Sequence, residues 1–66
     1  MHFEIGQIIV DQDGDLSIII SKTEYYYTYY LFFSLGWAEH IGKLFTEGQI
    51  CINHNCKLYE GNRYGA

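Results

Sequence analysis

The sequence predicts an all-β fold, and three observations carry that prediction. Short runs of β-branched and aromatic residues recur along the chain, each bounded by turn-forming residues. The segment Asp11-Gln12-Asp13-Gly14-Asp15 separates two of these runs at the spacing of a hairpin. A third run, Tyr25 to Phe33, is almost wholly aromatic and contains nothing that caps or breaks a helix.

The first strand covers residues 7–10, Gln-Ile-Ile-Val, which are short and β-branched. Residues 11–15 then turn the chain, because Asp side chains bond nearby backbone and Asp-Gly tolerates a positive φ. Leu16, Ile18 and Ile20 alternate with Ser17 and Ser21, which predicts a second strand with the Leu16–Ile18–Ile20 face buried. Together these elements make a hairpin. Lys22-Thr23-Glu24 is a polar interruption. Tyr25–Phe33 follows as a long third strand, with Tyr25, Tyr27, Tyr29, Leu31 and Phe33 on one face and Tyr26, Thr28, Tyr30 and Phe32 on the other. Both faces are apolar, so this strand is either central or has one face awaiting a partner.

Ser34-Leu35-Gly36 is a turn. Trp37 to Phe45 admits two readings. Trp37, His40, Ile41, Leu44 and Phe45 fall at helical spacing, whereas a strand puts Trp37, Ile41 and Phe45 on one face with Glu39 and Lys43. Gly42 inside a helix costs about 1 kcal/mol relative to Ala, so the strand is favoured. A short helical turn near Glu47-Gly48-Gln49 and a last strand near Lys57-Leu58-Tyr59-Glu60 complete the element order. Residues 61–66 read as a frayed tail. The chain has 66 residues with no repeat, linker or proline, so residues 1–66 are expected to form a single domain.

The order of hairpin, long strand, turn, strand, helical turn and final strand, with the opening Phe3-Glu4-Ile5-Gly6-Gln7-Ile8-Ile9, resembles the small β-barrels of the Src-homology-3 type. Gly6-Gln7-Ile8-Ile9 corresponds to their first strand, and Glu47-Gly48-Gln49-Ile50 to the turn before their closing strand. The resemblance implies a small five-stranded, partly open Src-homology-3-like barrel with a short helical turn. Tailed bacteriophages encode many tiny acidic, aromatic-rich proteins that look like this. The resemblance therefore implies a non-catalytic adaptor or inhibitor. Peptide-binding barrels of this type use an aromatic groove for proline-rich ligands, but that groove's sequence pattern is not recognisable here, and the ligand is not carried over.

Composition narrows the function. The formal net charge is −4, and the basic residues Lys22, Lys43, Lys57 and Arg63 are all separated in sequence. Phosphate backbones need clustered Lys and Arg, so nucleic-acid binding is disfavoured, as is binding to anionic membranes. No apolar run approaches the ~20 residues of a membrane span. Met1-His2-Phe3-Glu4 lacks the features of a signal peptide, and two cysteines fit free thiols in a reducing compartment. The expected location is the cytoplasm, that of the host if the protein is viral.

The candidate chemistries are weak. Counted as a calcium loop from Asp11, the segment 11–15 puts Leu16 where a Gly is needed and Lys22 where a bidentate Glu is needed, so it reads as a solvated turn. Cys51-Ile52-Asn53-His54-Asn55-Cys56 offers two thiols and an imidazole, short of the four ligands of a closed zinc site. With Asn53-His54 as a turn, Cys51 and Cys56 would face each other across a hairpin. No Gly-rich phosphate loop, nucleophile elbow or paired-carboxylate pocket accompanies them. The expectation is a chain that is not an enzyme, with no cofactor and no metal site.

The aromatics carry the functional expectation. One Trp, seven Tyr and four Phe exceed what so small a core can hide, and Tyr and Trp are favoured at binding hot spots. Thr28 marks its own strand face as the exposed one. Tyr26, Tyr30 and Phe32 on that face, together with Trp37, are the expected contacts for a protein partner, host or viral, whose activity the domain modulates or inhibits. Self-association into a homo-oligomeric structural subunit is the alternative. A nucleic-acid-binding barrel ranks last.

Overall fold

The computed structural model describes residues 2–60. Strands β1 (Ile8–Val10), β2 (Leu16–Lys22), β3 (Tyr26–Phe33), β4 (Leu44–Gly48) and β5 (Lys57–Leu58) form one antiparallel sheet in the order β4-β3-β2-β1-β5. A 3-10 turn at Ala38–His40 joins β3 to β4, and helix α1 (Gln49–Asn55) joins β4 to β5. The sheet is open, with β4 and β5 as its edges. No helix among the described residues is long and apolar enough to cross a membrane.

The β1–β2 hairpin forms where the turn chemistry places it. Asp11 Oδ1 accepts the amides of Asp13 at 2.8 Å and Asp15 at 3.1 Å, while the Asp11 amide donates to the Asp15 carbonyl at 3.1 Å. Gly14 takes φ +84°, the left-handed region that a side chain would strain. Strand β3 is central, paired to β2 and β4. Its pairing with β2 slips twice. Leu16 opposes Phe33 but Ser17 opposes Leu31, so Phe32 is an extra residue in β3. Ile19 opposes Tyr29 but Ser21 opposes Thr28, so Ile20 is an extra residue in β2. Such bulges bend a strand and sharpen its twist.

One face of the sheet is covered. Phe3 from the N-terminal segment and Ile52 from α1 close over Ile9, Ile19 and Tyr27, with Tyr29 and Cys56 packed at the margin. Tyr27 is fully buried, and its hydroxyl donates to Asn53 Oδ1 at 3.0 Å and accepts the Phe3 amide at 2.9 Å. It thereby fastens both covering segments to the sheet, and it satisfies a polar group that burial alone would leave costly.

Four expectations need correction. In β2 the core side chain is Ile19, with Ser17 buried beside it, and Ile20 is exposed; Phe3 and α1 cover the Ser17–Ile19 face, and the bulge at Ile20 interrupts the alternation. Trp37–Phe45 is not one strand: a 3-10 turn leads to Gly42 at φ +93°, and β4 begins only at Leu44. Glu47 and Gly48 belong to β4 rather than to a turn. The hairpin that an Asn53-His54 turn would have made does not form, because α1 occupies 49–55; both cysteines are free thiols, as the reducing-compartment reading expects. The final strand is shorter than expected, and the tail 61–66 lies outside the described residues.

Candidate functional site

Two surfaces stand out, one on each side of the sheet. On the uncovered side, strand alternation lines up apolar side chains across the strands. Ile18 of β2, Tyr30 of β3 and Leu44 of β4 are in register, and Ile8 of β1 continues the row. Val10, Leu16 and Phe33 form the adjacent row. Leu44 is 58% exposed, Phe33 43% and Tyr30 38%. Thr28 and Thr46 pair their hydroxyls at 2.9 Å on the same side, and Tyr26 stands opposite Gly48 beyond them.

The four residues singled out from the sequence do not form one cluster. Tyr26 and Tyr30 share the uncovered face with Thr28. Phe32 sits at the β3 bulge, where alternation is interrupted. Trp37 lies elsewhere, in the β3–β4 connection, with its amide bonded to Ser34 Oγ at 2.8 Å. All four are exposed. Sequence reasoning missed Leu44 and Ile18 as members of the row. A β4 strand starting at Leu44 was the signal for the first, and it was hidden by reading Trp37–Phe45 as one segment.

The second surface is a groove of about 510 Å³ on the covered side. The acidic hairpin turn forms one wall, Trp37 another, and Cys51 and Asn55 of α1 a third, with Ser17 and Tyr29 also lining it. An aromatic chain backs it: Trp37 lies 5.2 Å from His40, His40 6.2 Å from Phe45, and Phe45 stacks on Tyr29 at 5.6 Å between ring centres. The Tyr29 hydroxyl donates to Glu47 Oε1.

Electrostatics in the groove are one-sided. Burial first, and then the negative charges of Asp11 and Glu47, together raise the Cys56 thiol to about 11. Tyr29 is raised as well, first by burial, then by its bond to Glu47 and by the surrounding charge. At neutral pH Cys56 is therefore a protonated thiol, a poor nucleophile and a poor metal ligand. Among the described residues no three His, Cys, Asp or Glu side chains converge closely enough to hold a metal ion. The groove offers acceptor atoms and a flat aromatic wall instead.

No protein-family model, curated protein or solved structure matches this chain.

Proposed function

We propose that this domain is a non-enzymatic protein-binding module whose contact surface is the uncovered face of its sheet. The in-register row Ile18–Tyr30–Leu44 carries the reading. Monomeric soluble domains rarely expose contiguous apolar rows across several strands, and those that do use them as interfaces. Tyr26 and Tyr30 add large, fairly rigid side chains with a polar tip, the composition of a binding hot spot. The mechanism is occlusion: a partner that docks here has part of its own surface covered.

The return of β5 to pair with β1, with a helical element between β4 and β5, supports the resemblance to Src-homology-3-type barrels. A phage-encoded modulator of a host or viral protein fits that resemblance. A second reading, homo-oligomeric assembly, draws on the edge strand β4, whose open side could pair with a copy of itself. Nucleic acid ranks third. Lys22 is tied to Glu4 at 2.9 Å, and Lys43 and Lys57 lie towards opposite edges of the sheet, so these lysines build no basic track.

The test is affinity capture from nuclease-treated lysate, with wild type and Leu44→Asp as baits and circular dichroism on both. One stoichiometric partner held by wild type and released by the folded variant supports the module. Recovery of wild type only as a discrete multiple of its 7.7 kDa mass moves the assignment to the homo-oligomer.

A further inference from the structure

We infer that strand β4 pairs with β4 of a second copy of this chain, antiparallel and in one register, with Phe45 opposite the partner's Phe45 and Lys43 opposite the partner's Glu47. This deepens the homo-oligomeric reading above and rests on it. The two edges of the sheet differ. β5 offers only Lys57–Leu58, whereas β4 offers Leu44–Gly48. Backbone bonds fix which groups on β4 are open. The Leu31 amide donates to the Lys43 carbonyl at 3.1 Å and the Gln49 amide to the Tyr25 carbonyl at 2.8 Å, so the odd-numbered positions of this segment bond to β3. Successive residues of an antiparallel strand bond to opposite sides, which leaves Leu44 and Thr46 with their amides and carbonyls directed at the open edge. Among the described residues no backbone bond outside the strands and helices uses those groups. An edge of this kind is a template for another strand.

Charge complementarity selects the register. Across a two-fold axis, open positions must face open positions. Leu44 on the partner's Leu44 sets Lys43 against a Phe45 ring, and Thr46 on the partner's Thr46 sets Glu47 against one. Leu44 on the partner's Thr46 centres the axis on Phe45 and sets Lys43 against Glu47 on both sides of it. Leu44 then exchanges both backbone bonds with the partner's Thr46, and Thr46 with the partner's Leu44. The Lys43–Glu47 pairs fall at non-hydrogen-bonded sites, where opposed side chains stand closest. Lys43 is exposed, and neither it nor Glu47 has an ion-pair partner among the described residues. Glu47 Oε1 accepts the Tyr29 hydroxyl, while Oε2 meets the Cys51 thiol at 3.9 Å and has room for an ammonium. Phe45 already stacks on Tyr29, and at the axis its ring meets the partner's. The axis stands perpendicular to the sheet, so the uncovered faces of both copies lie on one side and stay open to the protein partner proposed above.

The experiment measures mass by sedimentation equilibrium on the full chain from about 10 µM to about 1 mM, because a pairing confined to one strand edge is small and weak. Wild type is expected to move from 7.7 kDa towards twice that mass. Lys43→Glu puts like charges opposite each other on both sides of the axis, and so does Glu47→Lys. Each is expected to weaken dimerisation about tenfold or more. Mixed in equal amounts, the two variants are expected to form a heterodimer about as tight as the wild-type dimer, since every opposed pair is then Lys against Glu. Thr46→Pro removes an amide that the dimer uses and the folded chain does not, which an edge strand tolerates, and it is expected to be monomeric. Circular dichroism accompanies each variant. If Glu47→Lys, which loses the acceptor of the Tyr29 hydroxyl, does not fold, Lys43→Glu and Thr46→Pro still decide the pairing. A monomer at every concentration overturns the proposal and the homo-oligomeric reading together. A dimer that survives Thr46→Pro overturns the β4 pairing and leaves assembly through another surface. A dimer lost in Thr46→Pro but kept in Lys43→Glu, or folded charge variants that do not recover on mixing, overturns the register.

Discussion

The two faces of the sheet are made from the same kinds of residue and meet opposite fates. On the covered side Ile19 and Tyr27 are fully buried, while on the other side Ile20 is 42% and Tyr30 38% exposed. Neither hydrophobicity nor strand propensity distinguishes Ile19 from Ile20 or Tyr27 from Tyr30. What distinguishes them is whether Phe3 and α1 lie above. Among the described residues there is one short helix, enough to cover one face of the sheet, and the second face stays uncovered. An apolar strand in a small domain thus specifies two candidate cores, and the connections decide which becomes the interior.

Paired substitutions across the faces test this contrast. The largest effect is expected from Tyr27→Ala, which removes a buried ring and both of its hydrogen bonds and costs ~3–5 kcal/mol, enough to unfold most of the chain. Tyr30→Ala on the opposite face is expected to cost ~1 kcal/mol or less by urea denaturation. Equal losses would mean that the uncovered face is itself a core. Ile19→Ala is expected to cost ~2–4 kcal/mol against ~0.5–1 for its bulged neighbour Ile20→Ala. Reversal of that order would return the buried face of β2 to Leu16, Ile18 and Ile20. Tyr27→Phe keeps the ring and isolates the hydroxyl. With the Phe3 amide and Asn53 losing their partner, ~1–3 kcal/mol is expected.

The smallest effect is a pH slope. Cys56 ionises at about 11 in the folded chain against an ordinary value of 9. Between these values the folded state holds a proton that the unfolded state has released, so stability is unaffected below pH 9 and falls as pH rises from 9 towards 11. Tyr29, also raised, acts in the same direction at higher pH. Urea midpoints measured through this window should decline for wild type and decline less for Cys56→Ala. Identical slopes in the two proteins would remove Cys56 from the groove's negative field.

The hairpin and the long aromatic strand were legible because their signals are local. Asp11 and Gly14 form the turn through bonds and a φ value that those residue types favour in any context. The second half resisted for the opposite reason. Gln49-Ile50-Cys51-Ile52-Asn53-His54-Asn55 contains two β-branched isoleucines and two asparagines, and its N-cap, Gly48, provides no side-chain cap. Its helix is held by tertiary contacts. Ile52 enters the core, Asn53 receives the Tyr27 hydroxyl, and the Gln49 side chain donates to the Thr23 carbonyl at 2.6 Å. The groove was illegible in the same way, since its acidic wall lies in the first hairpin while Glu47 and the thiols lie more than thirty residues later.

The amino-acid sequence by itself determined that this chain is β-rich, turns at Asp11–Asp15 and carries more aromatic surface than it can bury. Those properties follow from residue type and nearest neighbours. Only the tertiary structure decided which face of each strand became core, that residues 49–55 are helical and that Trp37 lies beside the acidic turn instead of beside Tyr30. Each of those outcomes depends on segments distant in sequence covering, bonding or shaping one another, and no local pattern records which distant segment will arrive.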